Sequence, residues 1–297
     1  MPELPEVETV RRGLERQTCG MCIERVEVLR ARAVAYPPDP ELFAIALRHC
    51  RVEQWDRRGK YLYAPLRDPQ GGPGGYWGVH LRMTGQFHWI PAPDRQSSEA
   101  AQGGERSPPS PSSHTRVRLW DSSGAELRFI DTRSFGQMWW VPPGKPIEAV
   151  ITGLGRLGLE PFDPAFTARH LKTRLQGSKR SIKAALLDQS LVAGVGNIYA
   201  DESLFAAGIN PHTPSGRINL AALERLRRAL VAVLEASIGA GGTTFSDFRD
   251  LAGTNGNYGG QACVYRRTGL PCPRCGSPIQ RDRLGGRSTH WCHQCQR

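Results

Sequence analysis

The chain predicts an α+β, multi-domain fold: an N-terminal helix feeding a β-sandwich domain, then a helical domain, then a small metal-stapled β-hairpin. Three observations predict it. The first half alternates short β-branched and aromatic runs with Gly, Pro and Asp punctuation. The second half changes to helical spacing of apolar residues. The tail carries Cys272-x2-Cys275-x16-Cys292-x2-Cys295. A chain of 297 residues is long enough for two cores.

The elements follow in order. Val7, Val10 and Leu14 fall on one helical face, and Pro5 and Glu6 suit its first turn. Strands are expected at Ile23–Leu29, Val52–Trp55, Tyr61–Ala64, Trp77–Leu81, Val117–Trp120, Glu126–Ile130 and Gln137–Val141. Residues 92–114, rich in Ser, Pro, Gly and Gln, are expected as a disordered surface insertion. Pro142-Pro143-Gly144 opens a linker and separates a domain over 1–145 from one over 146–261. Asp163-Pro164 reads as an N-cap and first-turn pair. Ile182–Leu191 and Ile198–Ala207 read as helices joined by a Gly-rich turn. Leu223, Leu226, Leu230 and Leu234 mark a longer helix ending before Gly239. Residues 262–297 form the cysteine module.

Charge narrows the partner. Lys+Arg number 39 against 28 Asp+Glu, a net charge of +11. The excess is concentrated: residues 262–297 hold seven Arg and one Asp. Residues 170–183 add Lys172, Arg174, Lys179, Arg180 and Lys183 without an acid. Such clusters favour a polyanion through counterion release, although a solvated basic surface would carry the same charge. No apolar run reaches membrane-spanning length, and the N-terminus lacks a secretory or transit pattern. The expected location is cytoplasmic, associated with the nucleoid. The eight Cys do not form a disulfide framework in a chain this long. Cys50 and Cys263 read as packed thiols, and Cys19-x2-Cys22, lacking a second pair, as two ordinary ones.

Four groups of residues carry chemistry. If Met1 is removed, Pro2 presents a secondary amine, able to attack a sugar C1′ and form an iminium. Glu3 beside it is a general acid/base. The positive end of the helix dipole lowers the pKa of that amine. The two CxxC pairs supply four thiolates for one structural zinc, with Arg281, Arg283, Arg287 and His290 between them. Gly194-Val195-Gly196-Asn197 permits a tight turn whose backbone N–H groups could bind phosphate, or simply a helical hairpin. Met83 and Phe135 suit apolar wedges and Arg133 a polar filler for the gap left by an extracted base, although Met and Phe at strand ends are more often core. Lys60 reads as a phosphate or active-site cation, or as plain surface.

Taken together these residues resemble the formamidopyrimidine-DNA glycosylase family of bacteria. The likeness spans nearly the whole chain in the right order: Met-Pro-Glu-Leu-Pro-Glu at the start, Arg-Gly-Lys-Tyr at 58–61, His-Leu-Arg-Met-Thr-Gly at 80–85, Asp-Thr-Arg-Ser-Phe-Gly at 131–136, Gly-Val-Gly-Asn-Ile-Tyr-Ala at 194–200, and the four-cysteine finger. The resemblance implies a helix-two-turn-helix domain over 146–261. It implies a bifunctional glycosylase and AP lyase that flips out oxidised purines, forms a Schiff base and cuts by β,δ-elimination in base excision repair. Pro2 is then the nucleophile, Glu3 the proton-transfer group, Lys60 the catalytic-site lysine and Glu6 a supporting carboxylate. Met83, Arg133 and Phe135 fill the void, while His80, Asn197 and Arg287 contact the backbone. Lys179 falls near a lysine linked to 8-oxoguanine handling. Residues 241–261 match a loop over the flipped base, with Thr243, Thr244 and Tyr258 as base contacts. The implied partner is double-stranded DNA with oxidised bases or abasic sites, met by a monomer, and no organic cofactor is expected.

Two rivals share some of these residues. An endonuclease-VIII-like glycosylase for oxidised pyrimidines would use the same amine, but such chains open Met-Pro-Glu-Gly-Pro-Glu where this one has Leu4. A non-catalytic DNA-binding zinc protein would explain charge and finger while leaving Pro2 and Glu3 idle.

Overall fold

The computed structural model describes residues 1–92, 110–244 and 249–297. Helix α1 (Leu4–Thr18) opens with a capping box: Glu3 caps the first turn while Glu6 reaches back to the Glu3 N–H. The strands follow as β1 (Arg25–Val28) and β2 (Val34–Tyr36), then, beyond helix α2 (Pro40–Leu47), β3 (Arg51–Val52), β4 (Asp56–Arg58), β5 (Tyr61–Arg67), β6 (Pro73–His80), β7 (Gly85–Ile90), β8 (Thr115–Trp120), β9 (Glu126–Asp131) and β10 (Gln137–Val141). They form two sheets, ordered β1-β8-β9-β7 and β2-β10-β6-β5-β3, with β4 paired to β5. Alternation along β5 buries Leu62, Ala64 and Leu66 between them. Trp55, Trp77, Phe87 and Phe129 run as a chain of aromatic contacts through the core, with centroids 5.0, 6.2 and 5.2 Å apart. The sandwich is as expected. Helix α2 was not expected: its Asp39 cap accepts the Glu41 N–H at 2.9 Å, but Leu42 and Ile45 are exposed, so no single apolar face marks it.

The connecting segment is not a free tether. Helix α3 (Ile147–Val150) and the turn after it bring Ile151 and Leu154 onto Trp139 and Val141. Beyond it lie α4 (Ala168–Leu175), α5 (Ile182–Leu186), α6 (Asn197–Ala207) and α7 (Leu220–Gly239) around a second core that includes Leu171, Ile182, Tyr199, Leu204 and Leu230. Two details differ from expectation. The cap of α4 is Thr167, which accepts the His170 N–H, whereas Asp163 closes a turn by accepting from Ala165. Helix α5 stops at Leu186, because the Asp188 carboxylate takes the Ser190 N–H and hydroxyl and turns the chain. The 92–114 insertion falls largely outside the described residues.

Helix α1 belongs to both cores. Leu4 packs with the helices, whereas Val7, Val10 and Leu14 pack with the sandwich. The N-terminal residues are therefore held where the two domains meet. The hairpin β11 (Gln280–Leu284) and β12 (Arg287–Trp291) completes the chain. Its small core of Val264, Ile279, Cys272 and Cys292 rests on Phe205 at the end of α6. There the Arg274 guanidinium donates to the Phe205 and Ala206 carbonyls at 2.9 and 3.0 Å.

Candidate active site and nucleic-acid interface

A cleft of about 830 Å³ opens where sandwich, helices and finger converge. Met1, Glu3, Lys60, Met83, Asn197 and Arg287 are among its lining residues. The turn before α6 sets its floor. The Gln189 side chain braces that turn, donating to the Val195 carbonyl at 2.8 Å and accepting the Gly194 N–H at 2.9 Å. Both glycines are required by close approach. Gly194, at φ +85°, receives the Leu4 N–H on its carbonyl at 3.0 Å. At Gly196 a Cβ would lie 2.3 Å from the Glu3 carboxyl carbon.

The floor carries two buried carboxylates. Glu3 Oε1 accepts the Ile198 N–H at the start of α6 at 3.0 Å, so that amide holds a side chain of the protein itself. Glu3 Oε2 is buried without a partner among the described residues. Burial raises the Glu3 pKa from 4.5 to about 7, against the pull of Lys60 and with a push from Glu6. Glu6 is anchored on all sides. It accepts the Glu3 N–H and the Thr243 N–H, each at 2.8 Å, and the Tyr199 hydroxyl. Its pKa is also raised by burial, with the Tyr199 hydrogen bond opposing. Pro2 is buried, while Met1 is about half exposed on the cleft wall.

Lys60 is buried in the same cleft, and burial lowers its pKa against the pull of Glu3 and Glu6. Glu160, from the helical side, fixes the turn that presents it. Its carboxylate accepts the Gly59 N–H at 2.5 Å and Arg57 Nη1 at 2.9 Å. His80 is buried and neutral: desolvation, then Arg82 and Lys60, push its pKa down to about 3. Its Nδ1 accepts the Arg82 N–H at 2.9 Å, which leaves the ring proton on Nε2 as a donor.

The wedge residues are not core. Phe135 is 39% exposed, Arg133 is exposed and Met83 half-buried. Buried Asp131 ties their two loops together. It accepts the Thr84 hydroxyl from one loop and the Arg133 and Gly136 N–H groups, at 3.2 and 2.6 Å, from the other.

The finger is locked to the helices by a network in which Asp201 and Glu202 were not singled out by sequence spacing. Lys183 Nζ lies 2.6 Å from Asp201 Oδ1 and donates to the Ser288 carbonyl at 2.6 Å and the Thr289 hydroxyl at 2.9 Å. Asp201 Oδ2 accepts the His290 N–H at 2.9 Å. Asn197 Nδ2 donates to the Ser288 carbonyl at 3.0 Å, while its buried Oδ1 has no partner among the described residues. Glu202 accepts the N–H groups of Cys263, Val264 and Tyr265 at 2.8–2.9 Å. Removing one member of the fully buried ion pair strands the other charge. Asp201→Ala is therefore expected to cost about 3–5 kcal/mol, read by denaturant unfolding.

Among the described residues, Cys272, Cys275, Cys292 and Cys295 are the one cluster suited to a metal, their sulfurs all within 4.8 Å. The Cys272–Cys295 and Cys275–Cys292 sulfur pairs are 3.8 and 3.5 Å apart. Zinc–sulfur bonds of about 2.3 Å need tetrahedral edges of about 3.8 Å, so the cage fits that ion. By contrast, Cys19 and Cys22 donate to separate backbone carbonyls, of Glu53 and His49.

Besides Pro2, Glu6, Arg133 and Phe135, which adjoin cleft residues without lining the cleft, Lys179, Thr243, Thr244 and Tyr258 are expected site residues that do not line it. Lys179 lines a separate groove with Arg217; the lysine of its run that reaches the finger is Lys183. Thr243 is buried, bonding Glu6 through its N–H and lying 3.0 Å from the Tyr199 hydroxyl. Thr244 pairs with Gly256 across the base of its loop. Tyr258 packs its ring 5.9 Å from that of Tyr199. Residues 245–248 of the expected covering loop lie outside the described residues.

A cleft floored by a buried carboxylate, lined by Lys60, Arg82, Arg156, Arg281, Arg283 and Arg287 and bordered by a hairpin with a four-cysteine cluster suits a polyanion such as nucleic acid. Comparison with known proteins is more specific. Residues 1–138 match the formamidopyrimidine-DNA glycosylase N-terminal domain, 157–249 its H2TH domain, and 269–297 the zinc finger found in FPG and IleRS. The formamidopyrimidine-DNA glycosylase of Parasynechococcus marenigrum is 61% identical over the full length of both chains. That of Acaryochloris marina is 53% identical over all of this chain and 99% of its own. The MutM (Fpg) crystal structure from Thermus thermophilus superposes with a TM-score of 0.82 at 37% identity, covering 99% of this chain and 98% of that one. A Lactococcus lactis Fpg variant in complex with Fapy-dG-containing DNA gives 0.85 at 30% identity, covering 99% of each. The chain belongs to the formamidopyrimidine-DNA glycosylase family, glycosylases of base excision repair.

Proposed function

We propose that the chain is a bifunctional DNA glycosylase and AP lyase for 8-oxoguanine and formamidopyrimidines. The observation that carries this reading is the Glu3 carboxyl, buried beside Pro2 at the head of α1 with a pKa of about 7 and facing a basic cleft. Removal of Met1 frees the Pro2 nitrogen on that cleft. Its lone pair forms a bond to C1′, and the bond from C1′ to the base breaks, the base leaving with a proton. Glu3, still partly protonated near neutral pH, donates a proton to the sugar ring oxygen as the ring opens to the iminium. Loss of a C2′ proton then expels the 3′ phosphate, and a second elimination expels the 5′ phosphate. Lys60 and the neutral His80 donate to phosphate beside the lesion. Met83, Arg133 and Phe135 occupy the vacated stack, and Asn197 with Arg287 grips the backbone. One zinc held by the four cysteines stiffens the finger, away from the chemistry. The same reading takes the protein as a monomer acting on double-stranded DNA in the cytoplasm, at the nucleoid. It takes Lys179 as a more distant backbone contact, and Thr243, Thr244 and Tyr258 as residues that shape the loop over the base. No described helix is long and apolar enough to cross a membrane.

Borohydride trapping tests the chemistry. Protein lacking Met1 should give a covalent adduct with a duplex holding 8-oxoguanine opposite cytosine, and none with undamaged duplex. Pro2→Thr should bind the same duplex but trap nothing. An adduct only with an oxidised pyrimidine would point to the sister specificity. No adduct with either would leave a DNA-binding zinc protein.

A further inference from the structure

The wedge has a second cation on it. Arg32 leaves the short turn Ala31–Ala33 just before β2. Strand β2 runs parallel to β10, Val34 beside Met138, so this sheet edge carries Arg32 to the loop that ends at Gly136. The guanidinium carbon of Arg32 lies 5.5 Å from the Phe135 ring centroid, and that of Arg133 lies 4.9 Å away. Among the described residues neither guanidinium pairs with a carboxylate, and Arg32 is exposed.

An exposed phenyl ring at a loop tip gains little from burial and is free to change rotamer. A guanidinium over its face is attracted by the ring quadrupole, and a cation fixed to the sheet edge makes one ring orientation the preferred one. Two like charges held near one ring oppose each other unless the ring draws both, so the ring holds the three groups as a unit. The geometry points to Arg32 as a positioning residue that acts through Phe135, setting the wedge before it enters the stack. The inference rests on the reading of the chain as an enzyme that extracts a base. It adds a residue from outside the loops that carry the wedge.

A double-mutant cycle tests it. Single-turnover excision of 8-oxoguanine from duplex is measured for the Met1-processed protein and for its Arg32→Ala, Arg32→Lys, Phe135→Ala and Arg32→Ala/Phe135→Ala variants. Arg32→Ala should slow excision about two- to five-fold, the range for an exposed cation–π contact. Arg32→Lys should restore most of the rate. With Phe135 already Ala, removing Arg32 should have no further effect. Additive losses would overturn the inference. So would an equal loss on a single-stranded abasic oligonucleotide, where no stack needs filling. A salt-dependence slope lowered by about one would also overturn it, by making Arg32 a direct phosphate contact. An inactive wild type would overturn both this inference and the glycosylase reading. An active wild type matched by Arg32→Ala would overturn this inference alone.

Discussion

Glu3→Gln should lower the rate of base excision by roughly 10²–10⁴-fold, the usual contribution of a positioned acid/base, while changing duplex affinity little. The isosteric amide can still accept the Ile198 N–H through its carbonyl, so the turn before α6 should keep its shape. What is lost is a proton held near neutral pH. Burial puts the Glu3 pKa at about 7, so wild-type excision should fall as pH rises through that value. Stability supplies an independent check. The folded pKa lies above the ordinary 4.5, so protonation favours the fold; that contribution is complete below about 4.5 and is lost as pH rises through about 7. The rise corresponds to about 3 kcal/mol of cost carried by the ionised group at high pH. Glu3→Gln should therefore unfold at a higher temperature than wild type at pH 8, and at nearly the same temperature at pH 4. Near-normal excision by the variant would remove Glu3 from the chemistry. An unchanged pH profile of stability would remove the burial argument for its pKa.

Legibility in the sequence followed the range of the interactions. The sandwich, the α7 periodicity and the four-cysteine finger were readable because each rests on local spacing. Pro2, Glu3 and Lys60 could be singled out by residue type, but that Glu3 and Lys60 share one cleft depends on contacts between domains, such as Glu160 on Gly59. Phe135 and Met83 show the limit from the other side. Strand-end apolar residues are more often core, whereas here Phe135 lies exposed on a loop that Asp131 ties to the one carrying Met83. Local sequence put Lys183 in a basic run and His290 among the finger's arginines but did not show that both meet Asp201, since a buried ion pair joining a short helix to a distant hairpin leaves no periodic trace. The same limit separated Lys179 from Lys183: both belong to one basic run, yet the α5 helix turns only the second inward.

Those long-range ties make the finger the second sensitive point. Cys292→Ser, or stripping the metal with a strong chelator, should abolish specific duplex binding. The hairpin has few apolar residues of its own, and Cys272 and Cys292 form part of its small core. With one thiolate missing, the ion no longer has four ligands, and modules of this size are commonly unfolded without their metal. Loss of the hairpin takes Arg281, Arg283 and Arg287 off the cleft wall. If all three neutralise phosphates, the salt-dependence slope of binding should fall by roughly 2.7, at about 0.9 per contact. The damage should also reach the floor of the cleft. Asn197 and Lys183 would lose Ser288, and Asp201 would lose the His290 N–H, leaving the Lys183–Asp201 pair facing solvent. Calorimetry should then show the helical domain destabilised first, with the sandwich, which touches the finger only through the shared helix α1 and the helices, affected less. Binding measured across salt concentrations separates the alternatives. An unchanged slope with unchanged affinity would mean that the finger serves stability alone. A reduced slope with retained affinity would mean that the helices carry the grip and the hairpin arginines only add to it.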